Sequence, residues 1–266
     1  DAAGYHIAAV ASRSASPAAT LVNQLLGCTL RPAEDLVLEC DMVFVTVGDS
    51  EIAPLVSELP WREGQRAVHC SGALGLEVLD GAARRGARVG CLHPLQAFPS
   101  REGDAGRFRD IVCGVEGPDG LGDLLERIAS DLGARAVRLE GADRALYHAA
   151  AVLASNYAVS LMSAATRAWG RAGLPAQEAR DALAPLLLGA AQAISRHPLH
   201  EALTGPIARG DVDTVRRHLD ALRSDSALCD LYRRLGVELL ELDLPIGELA
   251  SRQLREVLAG AGEDTA

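Results

Sequence analysis

The chain has 266 residues, a formal net charge of -10 and 48% apolar residues, with a mean hydropathy of +0.10. That length holds one large domain or two modest ones, and the acidic balance argues against nucleic acid as a partner, because phosphate binding needs a basic surface. All 26 residues of the Lys and Arg class are Arg, which excludes chemistry that needs a lysine acid, base or Schiff base.

No apolar run free of charge reaches the length of a bilayer crossing, and no signal peptide is visible, so no membrane association is expected. The six cysteines (Cys28, Cys40, Cys70, Cys91, Cys113 and Cys229) show neither a CxxC nor a His/Cys ligand spacing. They fit reduced thiols in a cytoplasmic protein and give no metal site.

The opening residues read as the end of a helix stopped by Gly4, followed by a short strand at 7–11. A chain that begins at the end of a helix is expected to have lost a strand, a glycine-rich turn and most of a helix, roughly 20 to 25 residues of a βαβ unit. Ser16 and Pro17 start a helix that continues over 18–26. Residues 41–47 form a continuous apolar strand of the kind buried on both faces of a parallel sheet. Gly48, Asp49 and Ser50 then turn the chain into a helix that runs to about residue 59.

A strand at 66–70 ends in Ser71 and Gly72, and a helix follows at 76–85. The strand at 88–92 ends in His93, Pro94, Leu95 and Gln96. After an irregular, charged loop at 101–109 come a strand at 111–115, a helix at 121–132 and a strand at 135–139. Strands alternating with helices of this length predict an α/β fold with a doubly wound parallel sheet. From residue 142 onward only helical periodicity is visible, over 142–171, 175–196, 211–222, 225–242 and 246–259. The predicted organisation is a dinucleotide-binding domain at 1–141 and an all-helical substrate and dimerisation domain at 142–266.

In an open parallel sheet, ligands bind beyond the carboxyl ends of the strands. That rule selects Ser12 to Ser14, Val47 to Asp49, the turn after His69 and the segment from His93. Arg13, flanked by Ser12 and Ser14 at the end of what would be the second strand of a dinucleotide fold, suits the 2′-phosphate of NADP; an acidic residue there would select NAD. An ordinary surface arginine ahead of a helix is the alternative. Val47, Gly48, Asp49, Ser71 and Gly72 are the expected contacts to ribose and nicotinamide.

The stretch 142–171 reads as one long helix, dense in good helix formers. At 100° per residue His148 and Ser155 fall about 20° apart and Asn156 about 80° from His148, so the three share one side. His148 or His93 would exchange a proton near neutral pH, and Ser155 with Asn156 would orient a substrate. A polar contact between helices would leave the same pattern. The break at 204–211, with Gly205 and Arg209, could approach an active site or a second subunit, or be a plain corner.

The motifs Ser12 to Ser14, His69 to Ala73, His93 to Phe98, Tyr147 to Tyr157 and Leu203 to Asp211 together resemble bacterial proteins that join a Rossmann-like domain to a helical domain of unknown function, DUF2520. That group is similar to the pyrroline-carboxylate reductases, the deazaflavin-dependent NADP reductases and the β-hydroxyacid dehydrogenases. The resemblance implies an NADP-binding domain followed by a domain like the C-terminal one of 6-phosphogluconate dehydrogenase, often dimeric. The β-hydroxyacid dehydrogenases use a lysine on the corresponding interdomain helix, and His148 with Asn156 is its nearest substitute here. The expected function is NADP-dependent hydride transfer to or from a small carbonyl or imine. The alternative is a dinucleotide-binding sensor or scaffold without turnover, which a His148 turned away from Ser71 and His93 would favour.

Overall fold

The computed structural model describes residues 3–98 and 105–260. It divides into two compact units, 1–155 and 156–266. The helix after the last strand therefore belongs with the α/β unit and not, as the domain boundary at 141 assigned it, with the helical half.

In the first unit, β1 (Ala9–Val10) and β2 (Thr29–Leu30) pair in parallel as a two-stranded sheet. β3 (Met42–Val45), β4 (Arg66–His69), β5 (Arg88–Pro94), β6 (Val112–Glu116) and β7 (Arg135–Arg138) form a five-stranded sheet in that order. β3, β4 and β5 run in parallel, with Val45 paired to His69 and His69 to Cys91. β6 is antiparallel to β5, placing His93 opposite Gly114, and β7 is parallel to β6. The parallel sheet read from the sequence holds at β3–β4, β4–β5 and β6–β7, and β5–β6 is its antiparallel exception. A parallel neighbour needs a long crossover, usually a helix. Between β5 and β6 the described residues hold only the short 3₁₀ turn Ala105–Phe108, and the chain returns antiparallel. The predicted loop at 101–109 lies partly outside the described residues.

The helices of this unit are α1 (Ala15–Val22), α2 (Ala33–Glu39), α3 (Asp49–Glu58), α4 (Asp80–Ala83), α5 (Leu121–Asp131) and α6 (Arg144–Ala154); α1 packs on β1 and β2, whereas α2, α3 and α4 pack on one face of the larger sheet and α5 on the other. Side chains of successive strand residues point to opposite faces. Ala67 accordingly packs with Val43, Val45, Ile52 and Val56 on one side. Its neighbour Val68 packs with Leu92, Val115, Leu121 and Leu125 on the other. The helix predicted at 76–85 is instead a 3₁₀ turn, Leu76–Leu79, followed by the four-residue α4.

The second unit contains α7 (Asn156–Arg171), α8 (Ala176–Ile194), α9 (Leu199–Ala202), α10 (Val212–Leu222), α11 (Ser226–Leu239) and α12 (Glu248–Leu258). Val215, Leu219, Cys229, Leu254 and Leu258 of the last three close a core of their own. Asp211 and Asp225 cap α10 and α11 by accepting the amides of Thr214 and Leu228. The single helix predicted over 142–171 is interrupted at Ser155, whose φ of -115° and ψ of -70° depart from regular helical values while staying in the right-handed region. Ser155 and Asn156 are short polar residues that compete for backbone hydrogen bonds, which favours an interruption. By length and composition alone Arg144–Arg171 would suffice to cross a bilayer, where the sequence reading found no such run; the break falls within it.

Candidate active site at the strand rim

The helix α6 begins at Asp143, whose carboxylate accepts the amide of Leu146 at 3.0 Å. Residues 144, 147, 148, 151 and 152 are partly buried, while 145, 146, 149 and 150 are exposed. That i, i+3, i+4, i+7 spacing is one helical face. It brings Arg144, Tyr147 and His148 onto the ends of β4 and β5.

At the centre, the hydroxyl of Tyr147 lies 2.9 Å from Nδ1 of His93. The two rings meet edge to face, with centroids 5.6 Å apart, and the ring of His148 stands 6.4 Å from that of His93. Two glycines make room for this group. A β carbon at Gly72 would fall 2.7 Å from Cε1 and Nε2 of His93 and 2.8 Å from Cδ2 of His148. One at Gly114 would fall 2.7 Å from the Tyr147 hydroxyl and 2.5 Å from Cδ1 of Leu139. Neither glycine has a positive φ, so the requirement at both positions is for space and not for backbone freedom.

Beneath the rings lies Arg144, its side chain 10% exposed. Its Nη2 donates to the Ser71 carbonyl at 2.8 Å and to the Cys91 sulfur at 3.1 Å. Its Nη1 is 3.8 Å from Oε2 of Glu116, and its guanidinium lies 5.8 Å from the centre of the Tyr147 ring, within reach of a cation–π contact. Burial, then the charge of Arg144 and then His148 lower the pKa of His93 to about 4, against an opposing pull from Asp49. Burial raises that of the Tyr147 phenol, although Arg144 works the other way. At neutral pH the pair is therefore an uncharged phenol beside an uncharged imidazole. Burial likewise raises the pKa of Glu116, with Arg144 opposing.

The residues singled out in the sequence fall into three groups. His93, His148 and Gly72 meet directly. Ser71 and Asp49 are joined to them through one hydroxyl: Ser71 Oγ donates to Asp49 at 2.9 Å and accepts the amides of Ala73 and Leu74 at 3.2 Å. That hydroxyl thus fastens the turn after β4 to the first residue of α3. Val47 and Gly48 lead into the same helix, and nothing lies within 4 Å of where a Gly48 side chain would stand. Arg13 is farther out, its side chain 83% exposed and paired with Glu51 at 2.6 Å; the Ser12 hydroxyl accepts the amide of Ser14 at 3.2 Å. Ser155 ends α6 and is exposed, and Asn156 opens α7 in the second unit.

His69, fully buried, accepts the amide of Ser71 on Nδ1 at 3.1 Å. It supports the turn from below and has no surface to offer a ligand. In the second unit the corner at 204–211 turns through Gly205 and Gly210 with positive φ and buries Ile207. Arg144, Gly114 and the role of Tyr147 were not found in the sequence. The spacing of Arg144, Tyr147 and His148, i, i+3 and i+4, is the signal that could have found the first and last.

Residues 1–94 match the Rossmann-like domain profile and residues 111–239 the profile of DUF2520, a domain of unknown function. No curated protein matches the chain significantly. Among solved structures, BF3122 from Bacteroides fragilis, a protein described as an NADP oxidoreductase, is 25% identical with a TM-score of 0.69, over 90% of each chain. Protein TM1727 from Thermotoga maritima is 27% identical with a TM-score of 0.67, over 94% of this chain and 90% of that one. A reductive aminase from Aspergillus terreus, solved with NADPH and ethyl levulinate, shares the fold at 18% identity and a TM-score of 0.59, over 94% and 90% of the two chains. The order of the two matches, Rossmann-like domain then DUF2520, is that of the group its motifs resemble.

Proposed function

We propose that this protein is an NADP(H)-dependent oxidoreductase that exchanges hydride with a small carbonyl or imine compound at the rim of the sheet. The observation that carries the reading is the Tyr147–His93 pair, 2.9 Å apart, set beside His148 against the Gly72 turn. The likeness to BF3122 and to a reductive aminase solved with NADPH supports the class of reaction.

The rim suits a dinucleotide. Gly48 leaves open space at the start of the ten-residue α3, where free amides favour phosphate or hydroxyl oxygens. Asp49, held by Ser71, is placed to accept a ribose hydroxyl. Arg13 is exposed, and an exposed ion pair such as the one with Glu51 is worth only about 0–1 kcal/mol, so Arg13 is available to a 2′-phosphate. When bound, the reduced nicotinamide supplies the hydride. Tyr147 gives its hydroxyl hydrogen to the substrate oxygen or nitrogen that gains electrons. The hydrogen on Nδ1 of His93 replaces it, and Nε2 takes up another from water. His93 must be neutral for this exchange, as its lowered pKa makes it.

The same reading makes the protein a cytoplasmic homodimer. Its six cysteines are free, and α7 and α8 bury only Ala164 and Ala179 among their described residues. Leu186 at 69% exposure and Ile194 at 55%, about 80° apart around α8, then lie on an apolar face that a second copy would cover.

The test is fluorescence titration of the purified protein with NADPH and NADH, followed by NADPH oxidation against a panel of small ketones, aldehydes and cyclic imines. Binding of NADPH in preference to NADH, with turnover of at least one compound class, is the expected result. No binding at millimolar NADPH would overturn the proposal. Binding without turnover across the panel would leave a dinucleotide sensor.

A further inference from the structure

The first turn of a helix is an unfavourable place for a cation, because the macrodipole puts partial positive charge there. Arg144 is the first residue of α6 and is nonetheless nearly buried. Its Nε and Nη1 and the facing Oε2 of Glu116 are buried without a hydrogen-bond partner. Burying a charge with incomplete pairing costs stability, so the guanidinium is retained against both local electrostatics and desolvation. What it gains is reach: its contacts join α6 to the turn after β4 through Ser71, to β5 through Cys91 and to β6 through Glu116. Three residues on, one helical turn away, is Tyr147.

We infer that Arg144 is a positioning residue for the reaction proposed above: it fastens α6 across β4, β5 and β6 and thereby sets the Tyr147 hydroxyl against His93. The inference rests on the reductase reading for its catalytic consequence, and on geometry alone for the rest. A second effect follows from charge. His93 is faced by Arg144, Tyr147 and His148 from α6, by Asp49 from α3 and by His69 from β4. Of these, Arg144 carries a positive charge that no change of pH in the working range removes. It disfavours a second positive charge on the ring, which keeps Nδ1 able to exchange a hydrogen with the phenol.

The experiment compares Arg144→Met, which keeps the length and removes the charge, with Arg144→Lys, which keeps the charge and loses the fork. The first readout needs neither cofactor nor substrate: NMR titration of ring-labelled histidines, with His93 assigned through His93→Gln. In Arg144→Met the His93 midpoint should rise by about half a pH unit or more, a roughly threefold gain in proton affinity, whereas in Arg144→Lys it should stay near wild type. The second readout is kinetic, with the substrate class found above. Arg144→Met should lower kcat by about 10²-fold while KM changes little, and its acid limb should move to higher pH with the midpoint.

A folded Arg144→Met protein whose His93 titrates as in wild type overturns the inference, and so does an equal shift in Arg144→Lys, which would mark general repacking. Should the methionine variant fail to fold, Arg144→Gln keeps a donor for the Ser71 carbonyl without charge and faces the same two outcomes. Failure of the reductase reading would appear as absent NADPH binding with the NMR shift intact.

Discussion

Replacing Gly72 by alanine adds one methyl group to the floor of the site, 2.7 Å from two atoms of His93 and 2.8 Å from one of His148. Unstrained carbon contacts lie at about 3.5–4.0 Å, so the two rings together must retreat by roughly 1 Å. Alanine can adopt the backbone conformation of Gly72, which has no positive φ, and the cost is therefore steric. Overpacking of this kind destabilises by about 1–3 kcal/mol, and a displacement of about 1 Å at a reacting group lowers turnover about 10²-fold. Urea denaturation followed by circular dichroism reads the first effect, histidine ring NMR the displacement and NADPH oxidation the third. Gly170→Ala is the control of opposite sign. Nothing lies within 4 Å of that position in α7, and alanine in a helix should add about 0.5–1 kcal/mol. A Gly72→Ala protein as stable as wild type to within about 0.5 kcal/mol, below the overpacking range, and with both ring signals unmoved, would refute the steric account.

Three further outcomes follow from the same geometry. The pKa values of His69 and His93 are lowered to about 4 from an ordinary 6.5, so between those values the unfolded chain binds protons that the folded one excludes. The stability they contribute is complete above about pH 6.5 and is lost as pH falls toward 4. The urea midpoint should drop over that interval, and two histidine signals should stay untitrated at pH values where ordinary histidines have already charged; a flat midpoint or uniform titration would count against it. Tyr147→Phe should cut kcat by about 10²-fold and leave the NADPH dissociation constant within about twofold, because the hydroxyl lies on the substrate side of the proposal; equal losses in both would point to collapse of the turn. Leu186→Glu, at a 69% exposed position on α8, should convert the proposed dimer to monomer in sedimentation analysis, and an unchanged mass distribution would dismiss that face as the contact.

The α/β half was legible because buried strands declare themselves: residues 42–47 are a nearly continuous apolar run and 66–70 a short segment around Ala67 and Val68, each ended by turn residues, and both contain strands. β2, two residues long, and the seven-residue α2 are too short for periodicity to rise above background. The antiparallel return of β6 depends on how the β5–β6 connection folds, which strand composition does not encode. His93, His148 and Gly72 were reachable by combining the rim rule with helical spacing. Gly72 was read as a cofactor contact, whereas its visible work is to leave room for two imidazoles. Gly114 had no signal at all: it stands mid-strand, and only the pairing with His93 and the approach of Tyr147 explain it. Ser155 and Asn156 were placed on the face of His148 by assuming an unbroken helix; Ser155 keeps the helical bond to the Ala151 carbonyl, and the interruption falls between it and Asn156.

The absence of lysine bears on how the site can handle protons. A lysine close to the strand rim could act as an acid once burial lowered its pKa, but this chain has only arginine for permanent positive charge. Arg144 can attract, repel and anchor, and it cannot release a proton to a substrate. Its nearest effect is to hold His93 uncharged, which removes the imidazolium as donor as well. In the proposed reaction proton delivery falls to neutral groups in contact, the Tyr147 hydroxyl and a ring N–H of His93, whose exchange depends on their 2.9 Å separation far more than on the acidity of either alone. On that proposal Gly72 and Gly114 leave room for the ring and the hydroxyl that must meet, and Arg144 holds the helix that carries the hydroxyl.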